Sequence, residues 1–254
     1  DVGFFIDRLT VLLLLLVTGV STIVQVYASR YMIGDARHSR FFALTALFTG
    51  AMTVLVMSSN LLLTFVFWEI MGLCSYLLVS HYSERPAAAR AATKVFLVNS
   101  VADAGLFMGV ILAFLTFGTL NIPEILEQAR AGGAVSTHAV TAMTLCIFLG
   151  AMGKSAQMPA HGWLPHAMEA PTPVSALIHA ATMVNAGPFL LVRLSPVIVL
   201  SDTAMSVIAA VGAVTALFAA VVSLTQTDVK RTLAFSTISQ LGFMFLGLGA
   251  GSFL

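Results

Sequence analysis

Charge is what this chain has least of. Twelve Lys and Arg and eleven Asp and Glu among 254 residues make 9%, against about 25% in an ordinary soluble domain. So few charges cannot coat a water-exposed surface of this size. With hydrophobic residues at 59%, lipid must be the solvent for most of it. The net charge is +1 and no basic run is long enough to suggest a nucleic-acid partner, so none is expected. Cysteine is nearly absent. Cys74 and Cys146 both lie in apolar segments, the pattern of small buried side chains rather than a disulfide framework. A glycine-rich phosphate loop, a nucleophile elbow and haem or iron–sulfur spacing are all missing, so no cofactor is expected in this chain. His161, His166 and Glu169 are too few ligands for a metal site.

What the chain does have is long apolar runs. A spanning helix needs about 20 such residues, and that ruler gives about eight segments: Leu9–Tyr27, Phe41–Ser59, Leu61–His81, Ala88–Phe117, His138–Met158, Thr172–Val197, Thr203–Thr225 and Val229–Gly249. Only Ser58-Ser59-Asn60 separates the second from the third, so these two form a tight hairpin. The linker Gly118–Thr137 holds Ile122–Ala129, a short amphipathic surface helix with Pro123 in its first turn. The expectation is a single membrane domain over residues 1–254. The chain starts at Asp1 without Met and stops after Ser252-Phe253-Leu254, which reads as a piece of a longer protein. Following the chain across each span puts Arg30, Arg37, Arg40, Arg85, Arg90, Lys230 and Arg231 near one face. Arg8, Arg130 and Arg193 fall near the other, with Glu124, Glu127 and Asp202. The positive-inside rule makes the first face cytoplasmic, or matrix-side in an organelle.

Against this background a few charges stand in the wrong solvent. Lys154 ends an apolar run, at roughly 2.5–3.5 kcal/mol for an ammonium in the bilayer centre. The backbone then breaks through Gly153, Pro159, Gly162, Pro165, Pro171 and Pro173 and resumes as a helix carrying His179. Irregular backbone at membrane depth survives only where protein or a watery cavity meets its polar groups, so lysine and break together point to an ion pathway. Glu69 lies mid-way along the third segment, in FVFWEIM. It must be neutral or face a cation, and Lys154 is the expected partner, worth about 3 kcal/mol at roughly 6 Å and an effective dielectric near 20. The bland alternative is a static ion pair holding two helices together.

Asp103 and Lys94 share the fourth segment. They read either as a relay or as a snorkelling lysine and a helix–helix hydrogen bond. Lys230 follows Asp228, an expected N-cap, and an interfacial Lys-Arg pair is common at membrane edges. His179 is open between a relay and a structural hydrogen bond.

These residues fall in strings that resemble a known family. GKSAQMPAHGWLPHAMEAPTPVSALIHAATMVNAG resembles the proton-translocating antiporter-like subunits of respiratory complex I, the large subunit 5 (L) type above others. FVFWEIMGLCSYLL, KVFLVNSVADAG and QTDVKRTLAFSTISQLGFM extend the match along nearly the whole chain. The wider superfamily includes multi-subunit sodium/proton antiporters and membrane-bound hydrogenases. The resemblance implies an all-α, polytopic transmembrane bundle with a discontinuous helix, the first repeat of an inverted-repeat fold. It implies a gate formed by Lys154 and Glu69, His179 and Lys230 as onward relay positions, and Asp103 and Lys94 as the carboxylate and lysine of the following helix.

It also implies other membrane subunits as partners, and redox chemistry in partner subunits rather than in this chain. The location implied is a bacterial cytoplasmic membrane, with the mitochondrial inner membrane as the alternative. A sodium/proton antiporter subunit and an inorganic-carbon uptake partner are the rival readings. Three departures stand out. Ser100 replaces a usual arginine that would pair with Asp103. His166 replaces a common aspartate. The sequence stops before a second discontinuous helix.

Overall fold

The computed structural model describes residues 3–131, 136–180 and 182–252. The outermost residues at each end, the last part of the expected Gly118–Thr137 linker and Ala181 within the expected sixth segment lie outside them. The described residues form an all-α bundle of up-and-down helices. Asp7 caps α1 (Arg8–Tyr31), accepting from the Thr10 amide at 2.8 Å, which satisfies one of the orphan donors of a helix start. A short loop leads into α2 (His38–Met57). Ser58-Ser59-Asn60 then turns the chain, and Asn60 caps α3 (Leu61–Val79) by accepting from Leu62 N at 2.8 Å. The expected hairpin is present.

Pro86 opens α4 (Pro86–Phe117), whose 32 residues make about 48 Å of helix. That exceeds a hydrocarbon core of about 30 Å, so α4 tilts or reaches beyond it. It stops at Gly118, whose φ of +69° is a left-handed cap that glycine adopts without a Cβ penalty. The surface helix α5 (Ile122–Arg130) buries Ile122, Ile125, Leu126 and Ala129 on one side. At this end backbone bonds tie the turns together, Leu61 N to Leu120 O at 2.9 Å and Ile122 N to Ser59 O at 2.7 Å.

The fifth expected segment forms α6 (Thr137–Lys154), ending at Lys154 rather than Met158. Short 3-10 turns at Ala160–Trp163 and His166–Glu169 follow. The sixth expected segment, Thr172–Val197, is not one helix. It divides into α7 (Thr172–Ala180), a 3-10 turn Met183–Asn185, α8 (Ala186–Arg193) and α9 (Ser195–Ile198). The chain finishes with α10 (Asp202–Leu224) and α11 (Val229–Gly249), the latter capped by Asp228 through Lys230 N at 2.8 Å. Among the described residues seven helical stretches are long and apolar enough to cross a membrane, Thr172–Arg193 counting as one across its break; α6, which ends at its lysine, is not among them.

Leu15, Ile23, Val101, Leu115, Leu217 and Leu224 turn outward, as expected where lipid is the neighbour. The largest buried side chains are Trp68, Trp163, Phe41, Phe48 and Lys154. A lysine in that company marks where the bundle departs from a purely apolar interior.

Candidate functional site: a buried ion pair beside a broken helix

Helices α4 and α6 run antiparallel along a seam of small residues. A Cβ on Gly150 would come 2.5 Å from the Leu106 Cβ, one on Gly105 2.6 Å from Leu149, and one on Gly153 would collide with Ala102. Only glycine lets the two helices approach so closely. This seam sets Asp103, about half-way along α4, against Lys154 at the end of α6. Lys154 Nζ lies 3.0 Å from Asp103 Oδ2, with the lysine fully buried and the aspartate nearly so. The other carboxylate oxygen, Oδ1, accepts from the Trp68 indole Nε1 at 2.6 Å. The Trp68 ring centroid is 5.9 Å from the ammonium, within reach of a cation–π attraction.

The expected pairing of Lys154 with Glu69 is therefore corrected: the carboxylate that takes the ammonium is Asp103. The reason is geometric. Asp103 lies across the close-packed seam, whereas Glu69 sits half-buried on α3. Glu69 remains within electrostatic range of both Lys154 and Asp103. The ammonium rests against α3 one turn beyond Glu69, where a Cβ on Gly72 would come 2.7 Å from Nζ. The buried site thus holds one amine and one carboxylate, with the half-buried Glu69 at its α3 side. Ser100 does not leave Asp103 without a cation, because Lys154 supplies it.

The break that follows is held by specific bonds. Trp163 Nε1 donates to Gly153 O at 2.8 Å, Gln157 Nε2 to Ser155 O at 2.9 Å, and Met158 N to Thr215 Oγ1 at 3.0 Å. Backbone polar groups freed at membrane depth are met in this way by protein. Ala156 has φ +50°, a left-handed conformation that costs a non-glycine residue of order 1 kcal/mol and that surrounding contacts must hold.

Sequence reading missed the second break, immediately after the helix that carries His179. Thr182 Oγ1 donates to Leu177 O at 2.6 Å and Asn185 Nδ2 to Ala180 O at 3.0 Å, meeting carbonyls left at the end of α7. Asn185-Ala186-Gly187-Pro188 carried the signal for a helix boundary. The two breaks are joined, because Ser155 Oγ donates to Val184 O at 2.8 Å.

The remaining candidates are dispersed. His179 Nδ1 lies 3.0 Å from Thr237 Oγ1 on α11, and its buried Nε2 has no partner among the described residues. Thr237 stands about two turns along α11 from Lys230. The Lys230 side chain has no hydrogen bond or ion pair among the described residues, and neither it nor His179 hydrogen-bonds Lys154. Lys94 is exposed and lies 3.3 Å from His166 Nδ1, which is also 2.7 Å from Gly162 O. A cavity of about 290 Å³ opens beside this group, lined by His161, His166, Gln226 and Arg231.

Ion pairs at the two ends bracket this interior. Arg193 binds Asp7 at 2.9 Å and Thr10 at 2.6 Å. Burial works against the Asp7 charge, yet hydrogen bonds from Thr10 and the Arg193 guanidinium hold its carboxyl below the usual range. At the opposite end Asp35 lies 3.2 Å from His81 Nε2, and Arg37 reaches both the His81 carbonyl and Glu84. Burial again opposes the Asp35 charge. The Arg37 amide, His81 and the Arg37 charge outweigh it and hold the carboxyl below its ordinary value.

The chain is similar to known proteins in sequence and fold. The family described as NADH:quinone oxidoreductase/Mrp antiporter, transmembrane, matches residues 58–254. The N-terminal family of chain 5 of NADH-ubiquinone oxidoreductase (complex I) matches residues 1–42. NAD(P)H-quinone oxidoreductase subunit 5 of the chloroplast of Chaetosphaeridium globosum is 47% identical over 256 residues, covering 100% of this chain and 38% of that protein. Chain 5 of the NAD(P)H-quinone oxidoreductase of Synechocystis sp. is 44% identical, covering 100% and 38%. The chain thus spans about two-fifths of the length of these relatives. Among solved structures, the Mrp complex from Dietzia sp. superposes with a TM-score of 0.91 at 33% identity, over 98% of this chain and 27% of that one. An archaeal membrane-bound sulfane sulfur reductase shares the fold, with a TM-score of 0.88 at 23% identity over 98% of this chain and 51% of that one.

Proposed function

Because the chain belongs to the NADH:quinone oxidoreductase/Mrp antiporter family of membrane proteins, we propose that it is the proton-translocating part of a subunit 5-type, antiporter-like subunit. Residues 1–254 form one membrane domain of a longer subunit in this reading. It assembles with other membrane subunits, redox chemistry takes place in partner subunits, and the assembly occupies a bacterial cytoplasmic membrane.

The observation that carries the proposal is the fully buried Lys154 ammonium, 3.0 Å from Asp103 and next to a broken helix. A buried ion pair is a poor device for stability alone, since desolvation offsets its Coulomb gain. It is a good device for a proton carrier. With its carboxylate close, the amine keeps its proton; with the carboxylate drawn away, the low-dielectric surroundings favour the neutral amine and the proton leaves. Asp103 and Glu69 are the two carboxyl groups that set this balance. His179, hydrogen-bonded to Thr237 on α11, is the next acceptor, and Lys230 on the same helix the one beyond it. Lys94 stands at the cytoplasmic edge with His166.

The test is Lys154→Met in the full-length subunit, assembled with its partners and reconstituted in vesicles with a pH-sensitive dye inside. Redox-driven acidification should fall to background while assembly persists. Parent-level proton flux in that variant ends the proposal. Likeness to the Mrp complex favours a second reading, exchange of sodium for protons. Vesicles carrying a sodium gradient and no quinone substrate distinguish the two, since only an exchanger moves protons there.

A further inference from the structure

We propose that Trp68 is a positioning residue for the proton-carrying lysine: its indole N–H selects Asp103, over Glu69, as the carboxylate on which Lys154 rests. The inference rests on the relay reading above and adds a residue to it. Three acid–base groups meet here, Glu69 from α3, Asp103 from α4 and Lys154 from α6. Lys94 with His166 lies about two and a half turns nearer the start of α4, and α8 brings only Arg193, which is bound to Asp7.

One ammonium cannot neutralise two carboxylates, and two like charges in one buried site disfavour each other's ionisation. Whichever carboxyl receives the additional hydrogen-bond donor keeps its charge and therefore keeps the lysine. Trp68 supplies that donor to Asp103 alone, at 2.6 Å. It leaves Oδ2 free for Lys154 at 3.0 Å, so the two donors divide the two oxygens.

The slot at Gly72 makes the choice consequential. The ammonium lies against α3, where a side chain of even one carbon would stand 2.7 Å from it. It is therefore already within a helical turn of Glu69. Glu69 is half-buried and lacks the indole donor. The two carboxylates are consequently unequal, and Trp68 sets the inequality. Any buried indole N–H needs an acceptor, and Trp163 takes a backbone carbonyl, Gly153 O; Trp68, with no exposed surface, instead takes the carboxylate that also holds the lysine.

The experiment uses the full-length subunit in its assembled complex, in vesicles, and reads the pH profile of proton flux. Two variants are made at position 68: Trp68→Phe, and benzothienylalanine, which keeps the shape of indole and replaces N–H by sulfur. A hydrogen bond to a charged group is lost in both, and the acid limb of the profile should move to higher pH by about one unit. If Trp68→Phe fails to assemble, the isostere decides. A parent-like pH profile with the isostere overturns the proposal. If Lys154→Met is inactive in the same vesicles, that failure belongs to Trp68 alone. If Lys154→Met pumps normally, the relay reading falls and the role of Trp68 falls with it.

Discussion

Removing the Asp103 carboxylate tests the corrected pairing most directly. In Asp103→Asn the Lys154 ammonium loses the partner at 3.0 Å and the Trp68 N–H loses a charged acceptor. Breaking a buried pair from one side costs about 3–5 kcal/mol, because an uncompensated charge stays in a low-dielectric site. Lys154→Met should cost a similar amount by stranding Asp103. The double variant leaves two neutral groups of similar volume, and replacing a whole buried pair is often close to neutral. A double-mutant cycle on the unfolding free energy of the full-length subunit in nanodiscs should thus return a coupling of at least about 2 kcal/mol. The cycle of Glu69→Gln with Lys154→Met should return a smaller value, since no ion pair joins these two. Coupling below about 0.5 kcal/mol for Asp103, with the larger value at Glu69, would refute the geometry on which the site is built.

Other tests follow from the same structure. Thr237→Val removes the hydroxyl 3.0 Å from His179 and leaves a buried ring nitrogen unpaired, at a cost of about 1–3 kcal/mol; flux should drop more than assembly, read side by side in vesicles and by native gel. At the crossing of α10 and α11 a Cβ on Gly242 would stand 2.6 Å from the Ala216 backbone nitrogen. Gly242→Leu should therefore force the helices apart and lower stability by about 1–3 kcal/mol or more, measured by thermal unfolding in nanodiscs. The Asp35 carboxyl is held below its ordinary value of 3.8. Its stabilising effect is complete above that value and is lost as pH falls through the lowered native one. Melting curves of parent and Asp35→Asn should accordingly differ at neutral pH and converge only in strong acid.

Most of the fold was legible because the bilayer imposes a length rule that apolar runs obey. The hairpin at Ser58–Asn60, the surface helix α5 and the Asp228 cap all came from local chemistry that tertiary packing does not override. The partner of Lys154 did not. Glu69 and Asp103 look alike in sequence, each a lone acid in an apolar run, and it takes the packed structure to show that the α4–α6 glycine seam brings Asp103 across from the lysine. That seam is written in Gly105, Gly109, Gly150 and Gly153, but a spacing of glycines names no partner helix. The second break was hidden for another reason. Thr172–Val197 passes any hydropathy ruler, and its interruption depends on Thr182 and Asn185 turning back onto carbonyls. Trp68 stood beside a glutamate that drew the attention; nothing in the string tells which acid its N–H will reach.

The contact between the two interrupted helices has a mechanical consequence. Gly187 lies so close to α6 that a methyl group there would stand 2.6 Å from Ala151 O, and Ser155 is pinned to Val184. The end of α6 and the start of α8 therefore have no slack between them and behave as meshed teeth. A rotation that carries the lysine toward or away from its acid would pull on the turn Met183–Asn185, which lies between the helix that holds the histidine ring and α8.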